Sequence, residues 1–239
     1  MSANNKNDQF EKYLKSTSTS DIYQNIHCAY CDEQDFNAKY RHISKENVDL
    51  SILHLNIRSL NANSSKLVQM LSMLDLKFDL IVLSEIWTYN INFYSNILSN
   101  YTFIYDLPIL DVTIGGVGMY ISNKIKYRLN PVLKITTDAA NKVESLWVEV
   151  DKGNKHYIIG GIYRHPNQNI IEFQHRLDTT LQKIKMKNNN VLVIGDINID
   201  LLKYNDHKDT SAYIDSLMLH NLLPLSLLPT RVTEKSHNN

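Results

Sequence analysis

Residues 191–204 read VLVIGDINIDLLKY. Four consecutive apolar residues, Val191 to Ile194, predict a strand apolar on both faces, and such strands lie in a sheet that is covered on both sides. The run then breaks at Gly195, Asp196, Ile197 and Asn198. Gly195 lets the chain pass close to a ligand. Asp196 and Asn198 are two apart, so in an extended segment they point to the same side. A buried strand ending in a carboxylate and an amide places reactive groups on a rigid scaffold, where the adjoining loops admit substrate.

The pattern recurs earlier in the chain. In FDLIVLSEIW (78–87) the apolar run Leu80 to Leu83 leads into Ser84 and Glu85. Across 50–57, Leu53, Leu55 and Ile57 alternate with His54 and Asn56, which predicts a half-buried strand carrying Asn56 near its end. GGVGMYI (115–121) follows a turn signal and predicts another strand. Residues 143–150 and 156–163 flank an Asp-Lys-Gly-Asn turn at 151–154, a hairpin signature. Three helices are expected. One, capped by Asn63 or Ser64, aligns Leu67, Met70, Leu71 and Leu74 on one face. A second covers 170–187 with Phe173, Leu177, Leu181 and Ile184 in its stripe. A third covers 211–223, presents Ile214, Leu217 and Met218 to the core, and is stopped by Pro224. The sum is an α/β protein with antiparallel pairs rather than a clean βαβ repeat.

Composition narrows the function classes. The 239 residues carry 25 Lys+Arg against 25 Asp+Glu, so no polybasic coat for nucleic acid exists and any anion binding must be local. A 43% apolar fraction excludes global disorder. No run of about 18 apolar residues suggests a membrane span, and no apolar core of a secretory signal opens the chain, so an intracellular protein is expected. Residues 1–47 read as a polar, partly disordered leader and 48–239 as one domain. Cys28 and Cys31 form a single CxxC near His27 and His42. A zinc site there lacks a second pair and a redox role lacks a surrounding βαβ unit, so an accidental spacing is the better reading.

Taken singly, each candidate residue is ordinary. Glu85 can be the first solvated residue after a buried strand. Asp196 and Asn198 can cap a turn or helix, and Asn56 can sit on the polar face of an edge strand. Their joint occurrence, in order, is what carries weight. The blocks HLNIRSL (54–60), FDLIVLSEIW (78–87), GGVGMYI (115–121), GIYRHPN (161–167), VLVIGDINIDLLKY (191–204) and PTRVT (229–233) resemble the endonuclease/exonuclease/phosphatase superfamily, and more narrowly the endonuclease domain of non-LTR, LINE- or Jockey-like retrotransposon polyproteins.

The resemblance implies a four-layered α/β sandwich, two mixed β-sheets flanked by helices. It also implies roles. Asn56 helps order the metal and catalytic network, and Glu85 binds a divalent cation. Mg²⁺ (or Mn²⁺) suits a lone carboxylate with waters, because Mg²⁺ keeps much of its hydration. Tyr163 contacts the scissile phosphate, Asp196 orients or deprotonates the attacking water, and Asn198 steadies the transition state. Arg164 meets a DNA phosphate or forms a structural ion pair. DNA is the implied partner, and the nucleus the implied place of action; no membrane is implied, and oligomeric state is not readable. The sequence departs from the pattern at Ile86, where Thr is usual, and at His165, where Pro is common. After PTRVT the family continues with an Asp block and a final Ser-Asp-His strand, and neither is present in these 239 residues. The expectation is therefore a sandwich lacking its last strand or strands, with DNA nicking weakened or lost. The alternatives are a non-catalytic retroelement remnant or nucleic-acid-binding module, and, ranked last, a small-molecule or lipid phosphatase. Asp206-His207 and His237 are weak substitutes for the absent histidine block.

Overall fold

The computed structural model describes residues 28–41, 48–88, 91–107, 114–138, 142–184, 189–226, 228 and 230. The chain divides into two compact units, Asp32–Asn198 and Met1–Cys31 with Ile199–Asn239.

The larger unit holds two mixed four-stranded sheets. The first is built from β1 (Ile52–Asn56), β2 (Leu80–Ser84), β3 (Tyr101–Asp106) and β4 (Val117–Ser122), in the order β1-β2-β4-β3. β1 and β2 are parallel, in register from Ile52↔Leu80 to Asn56↔Ser84, and β4 is antiparallel to both β2 and β3. The second sheet runs β5 (Lys126–Leu129), β6 (Val143–Lys152), β7 (Lys155–Arg164) and β8 (Asn190–Asp196) in sequence order. Its β6–β7 hairpin is the expected one, turning at Gly153 and Asn154, and β8 joins β7 in parallel.

Apolar side chains of both sheets meet in one layer. Leu80, Val82, Met119 and Ile121 from the first sheet pack with Val148, Val150, Tyr157 and Ile159 from the second. The alternation along β7 therefore sends Tyr157, Ile159, Gly161 and Tyr163 toward the other sheet, and Ile158, Ile162 and Arg164 outward. On the far side of the first sheet, Ile81, Leu83, Phe103 and Tyr120 pack with Leu60 and Leu67 of helix α2 (Leu60–Met73), and Phe36 of helix α1 (Glu33–Tyr40) adds to that cluster. Beyond a short helix α3 (Ile91–Tyr94), the helix α4 (Ile170–Leu181) buries Phe173, Leu177 and Leu181, with the Arg164 guanidinium 6.0 Å from the Phe173 ring. Two sheets face to face with helices outside is the α/β sandwich that the sequence implied.

Helix ends follow the local chemistry. Ser59 caps α2 by accepting from the Ala62 N–H at 3.3 Å, four residues before the cap read from the sequence. Asn169 caps α4 through the Glu172 N–H at 2.9 Å, and each such cap contributes about 1 kcal/mol. The expected 170–187 helix closes at Leu181, and residues 185–188 lie outside the described residues. In the smaller unit, helix α5 (Lys208–Leu219) begins at a His207 cap and ends before the expected Leu223; Tyr204 and Ile214 pack with Leu201, Leu202, Met218 and Leu223. Cys28 and Cys31 are free and exposed, while His27 and His42 fall outside the described residues. Most of the leader, and all of PTRVT except Thr230, also lie outside them. Among the described residues no helix is long and apolar enough to cross a membrane.

Candidate active site

The two parallel pairs, β1–β2 and β7–β8, end at the same edge of the sandwich. β1 ends at Asn56, β2 at Ser84, β7 at Arg164 and β8 at Asp196. Asn56 connects them. Its Nδ2 donates to Glu85 Oε1 at 2.6 Å and to Asp196 Oδ2 at 2.7 Å, so one amide uses both of its hydrogens to draw together two carboxylates from different sheets. The Tyr163 phenol lies close enough to Glu85 and Asp196 to feel the charge of both. Burial, then the charges of Glu85, Asp196 and Glu144, push the Tyr163 phenol well above its ordinary value, which keeps it protonated and a donor. Asn56, Glu85, Tyr163 and Asp196 thus form one connected group, although Asn56 and Asp196 are 140 residues apart.

The backbone around this edge is strained. Arg58, Ser59, Glu85, Trp87 and Asn198 all have positive φ, at 45°, 90°, 57°, 43° and 49°. Such conformations cost about 1–3 kcal/mol each and gather where a site must hold a special geometry. They are sustained by a ladder that continues past the strand ends, with Ile57 N–H on Ser84 O, Ser59 N–H on Glu85 O and Trp87 N–H on Gly115 O. Gly195, at φ +154°, is the corresponding device on β8: a Cβ there would lie 1.8 Å from Ile162 O. Only glycine allows β8 to reach this close to β7.

Two expectations need correction. Asp196 and Asn198 do not share an extended strand, because β8 ends at Asp196 and the chain turns. The Asn198 N–H donates to Asp196 Oδ1 at 3.1 Å, and its Nδ2 donates to Arg164 O at 2.8 Å. The short-range turn chemistry of Asx residues won over strand alternation. Arg164, expected at a DNA phosphate or in a structural ion pair, is 1% exposed on the outward row of β7, which takes it away from a DNA phosphate. Its Nε donates to Ile197 O at 2.6 Å, its Nη2 to Asn198 O at 2.6 Å and its Nη1 to Gln168 O. The guanidinium therefore fastens the turn that carries Asn198.

Sequence reading passed over two supporting residues. Ser84, fully buried, accepts the Asp196 N–H at 3.3 Å and is bonded to His54 Nε2 at 3.0 Å. Burial pushes the His54 imidazole below its ordinary value, with the Asp196 charge opposing. The available signal was a serine closing an otherwise apolar strand. Among the described residues no cluster of three or more His, Cys, Asp or Glu side chains could hold a metal.

The fold is shared with solved structures. The endonuclease domain of TRAS1, a telomere-specific non-LTR retrotransposon, superposes with a TM-score of 0.55 at 13% identity, covering 72% of each chain. An AP endonuclease from Archaeoglobus fulgidus gives 0.53 at 13% identity, covering 71% of this chain and 70% of its own. D. rerio TDP2 complexed with single strand DNA product gives 0.50 at 16% identity, covering 73% and 66%. No curated protein matches the sequence. A sequence model of the Endonuclease/Exonuclease/phosphatase family matches residues 53–231, a span that contains every residue of the connected group and both sheets but for Ile52, and the chain belongs to that family.

Proposed function

We propose that the chain is a divalent-cation-dependent phosphodiesterase that nicks DNA, an endonuclease of retrotransposon type acting in the nucleus. One observation carries this reading: Asn56 joins Glu85 and Asp196 at 2.6 and 2.7 Å beside a protonated Tyr163. DNA as substrate is supported by the similar solved structures, which include an endonuclease domain, an AP endonuclease and a complex with single strand DNA product. The retrotransposon assignment rests on the six sequence blocks.

The donor set fits a hard cation. Glu85 offers a carboxylate that is 9% exposed, and the amide hydrogens of Asn56 are committed to carboxylates, which leaves its Oδ1 as a ligand. One carboxylate, one amide oxygen and several waters is a set that Mg²⁺ or Mn²⁺ accepts. When bound, such a cation neutralises phosphate charge and the leaving oxygen. The chain's own groups do the rest. Asp196 has one oxygen held by Asn56 and the other by the Asn198 N–H, so its carboxylate is fixed to align a water and accept its proton. The Tyr163 O–H and the second amide N–H of Asn198 are donors for phosphoryl oxygens as negative charge builds. Among the described residues no histidine is hydrogen-bonded to Glu85, Asp196 or Asn198, so the departing oxygen takes its proton from water and turnover is slow.

Supercoiled plasmid incubated with the 239-residue protein and Mg²⁺ or Mn²⁺ tests the reading. Slow conversion to open circles, abolished by EDTA and by Asp196→Ala, is expected. Conversion that persists in Asp196→Ala refutes the assignment. Binding of duplex DNA with no nicking at all establishes the non-catalytic, nucleic-acid-binding alternative.

A further inference from the structure

Glu144 is the second residue of β6 and is 1% exposed. It pairs directly with Tyr163 across the β6–β7 ladder, so both side chains leave the sheet on its inner face. Its Oε1 lies 3.1 Å from His165 Nε2, and its Oε2 is buried without a hydrogen-bond partner. A carboxylate buried with so few bonds needs a compensating charge. Among the described residues the His165 ring is the group that meets it.

The arrangement is built for this contact. Gly115, at φ +115°, faces the pair, and a Cβ there would lie 2.8 Å from Glu144 Oε1 and 3.1 Å from His165 Nε2. The His165 ring meets Tyr163 edge-on with centroids 4.8 Å apart. Its side chain keeps 14% of its surface exposed against 2% for Glu144. With Nε2 committed to Glu144, Nδ1 is the remaining ring nitrogen, and no described residue bonds it.

We infer that Glu144 and His165 form a phosphate-binding dyad at the rim of the site. Glu144 is the positioning residue: its carboxylate holds Nε2 of His165, and the ring bridges it to a DNA backbone phosphate, next to the one at Tyr163, through Nδ1. This inference rests on the DNA reading above, but not on hydrolysis.

Fluorescence anisotropy with a labelled duplex oligonucleotide in EDTA, repeated over a range of salt concentrations, tests it. Each phosphate neutralised adds about 0.9 to the slope of log Kd against log salt. His165→Gln is expected to weaken binding about ten-fold and to lower that slope by about 0.9. His165→Arg restores the slope, and Glu144→Gln weakens binding with His165 still present. In nicking assays the His165→Gln loss sits in KM rather than kcat. A slope unchanged in His165→Gln, a loss that arginine does not rescue, or a wild-type protein that does not bind the duplex overturns the dyad. Hydrolysis and the dyad fail separately. A wild type that never nicks but shows the slope change refutes hydrolysis and leaves the dyad standing. A wild type that nicks while His165→Gln keeps its slope refutes the dyad alone.

Discussion

Gly195→Ala puts the close approach of β8 to β7 to the test. The added Cβ would lie 1.8 Å from Ile162 O and 2.8 Å from Ile162 C, both backbone atoms that no rotamer change can move. Carbon–oxygen contacts between strands sit at about 3.3–3.6 Å, so the strands must part by about 1.5 Å. That separation falls at Ile162↔Gly195, one step from the end of a ladder running from Tyr157↔Asn190 to Tyr163↔Asp196. The backbone strain of a non-glycine residue here costs about 1–3 kcal/mol, and relieving the overlap costs about 1–3 kcal/mol more. A loss of about 4 kcal/mol is expected, a large share of the roughly 5–15 kcal/mol that holds a domain folded. For a chain of this size each kcal/mol moves Tm by about 2–4 °C, so the midpoint should fall by about 8–16 °C. Urea denaturation followed by circular dichroism measures the change, with the m-value serving to detect loss of two-state behaviour. Even where the variant folds in the cold, Asp196 is displaced from Asn56 and nicking should be lost. A stability within about 1 kcal/mol of wild type, or full nicking activity, would show that β8 does not need glycine and that the reasoning from this contact is wrong.

Other outcomes follow from the same geometry. Arg164→Lys keeps the charge but cannot serve three carbonyls at once, and with about 1.5–3 kcal/mol for a bond to a charged group, urea melts should show a loss of about 3 kcal/mol; an unchanged midpoint would return Arg164 to a solvent-side role. Tyr163→Phe should reduce the nicking rate about a hundred-fold. Because the phenol's pKa is raised, the wild-type pH–rate profile should carry no limb from tyrosine ionisation below about pH 10, and an alkaline limb that vanishes in the variant would contradict this. The Arg128 guanidinium, with Asn130 assisting, holds the Glu149 carboxyl below its ordinary value of 4.5. The ionised form is thus favoured on folding, so this stabilisation is present above about pH 4.5 and is lost as pH falls through the lower folded value. Glu149→Gln should therefore flatten the acid end of the stability–pH curve, and an equally steep curve in the variant would disprove the coupling.

The parts of the fold legible in the sequence were those whose environment is uniform. β2 is buried at all five positions, and an unbroken apolar run is what such a strand requires. The β6–β7 hairpin announced itself through its turn residues, and α4 through its stripe. β3 and β5, two of the four edge strands, were missed because so little of either is buried. β3 buries only Phe103, and β5 is four residues long with none buried, so neither shows the alternation of a half-buried strand. Their pairing partners, β4 and β6, make them strands. The start of α2 was read too late for a similar reason: Ser59 at φ 90° caps it, held by the Glu85 carbonyl across the strand ends.

At the site, the order of the motifs along the chain nominated Asn56, Glu85, Tyr163, Asp196 and Asn198, and polar residues at the ends of apolar runs pointed the same way, because a rigid scaffold there can hold a reactive group. Strand periodicity gave an α/β protein with antiparallel pairs, since burial on one face or both is written in the spacing of apolar side chains, and the two-sheet sandwich was implied by the family resemblance of the six blocks. Three things were decided only by tertiary structure. Asn56 became the shared donor of two carboxylates, Arg164 was buried on the outer face of its sheet to hold a turn, and Glu144 came to face His165. Each depends on which strands lie side by side and in what register. Hydrogen bonds form over about 3 Å between groups far apart in sequence, and no local pattern records that distance.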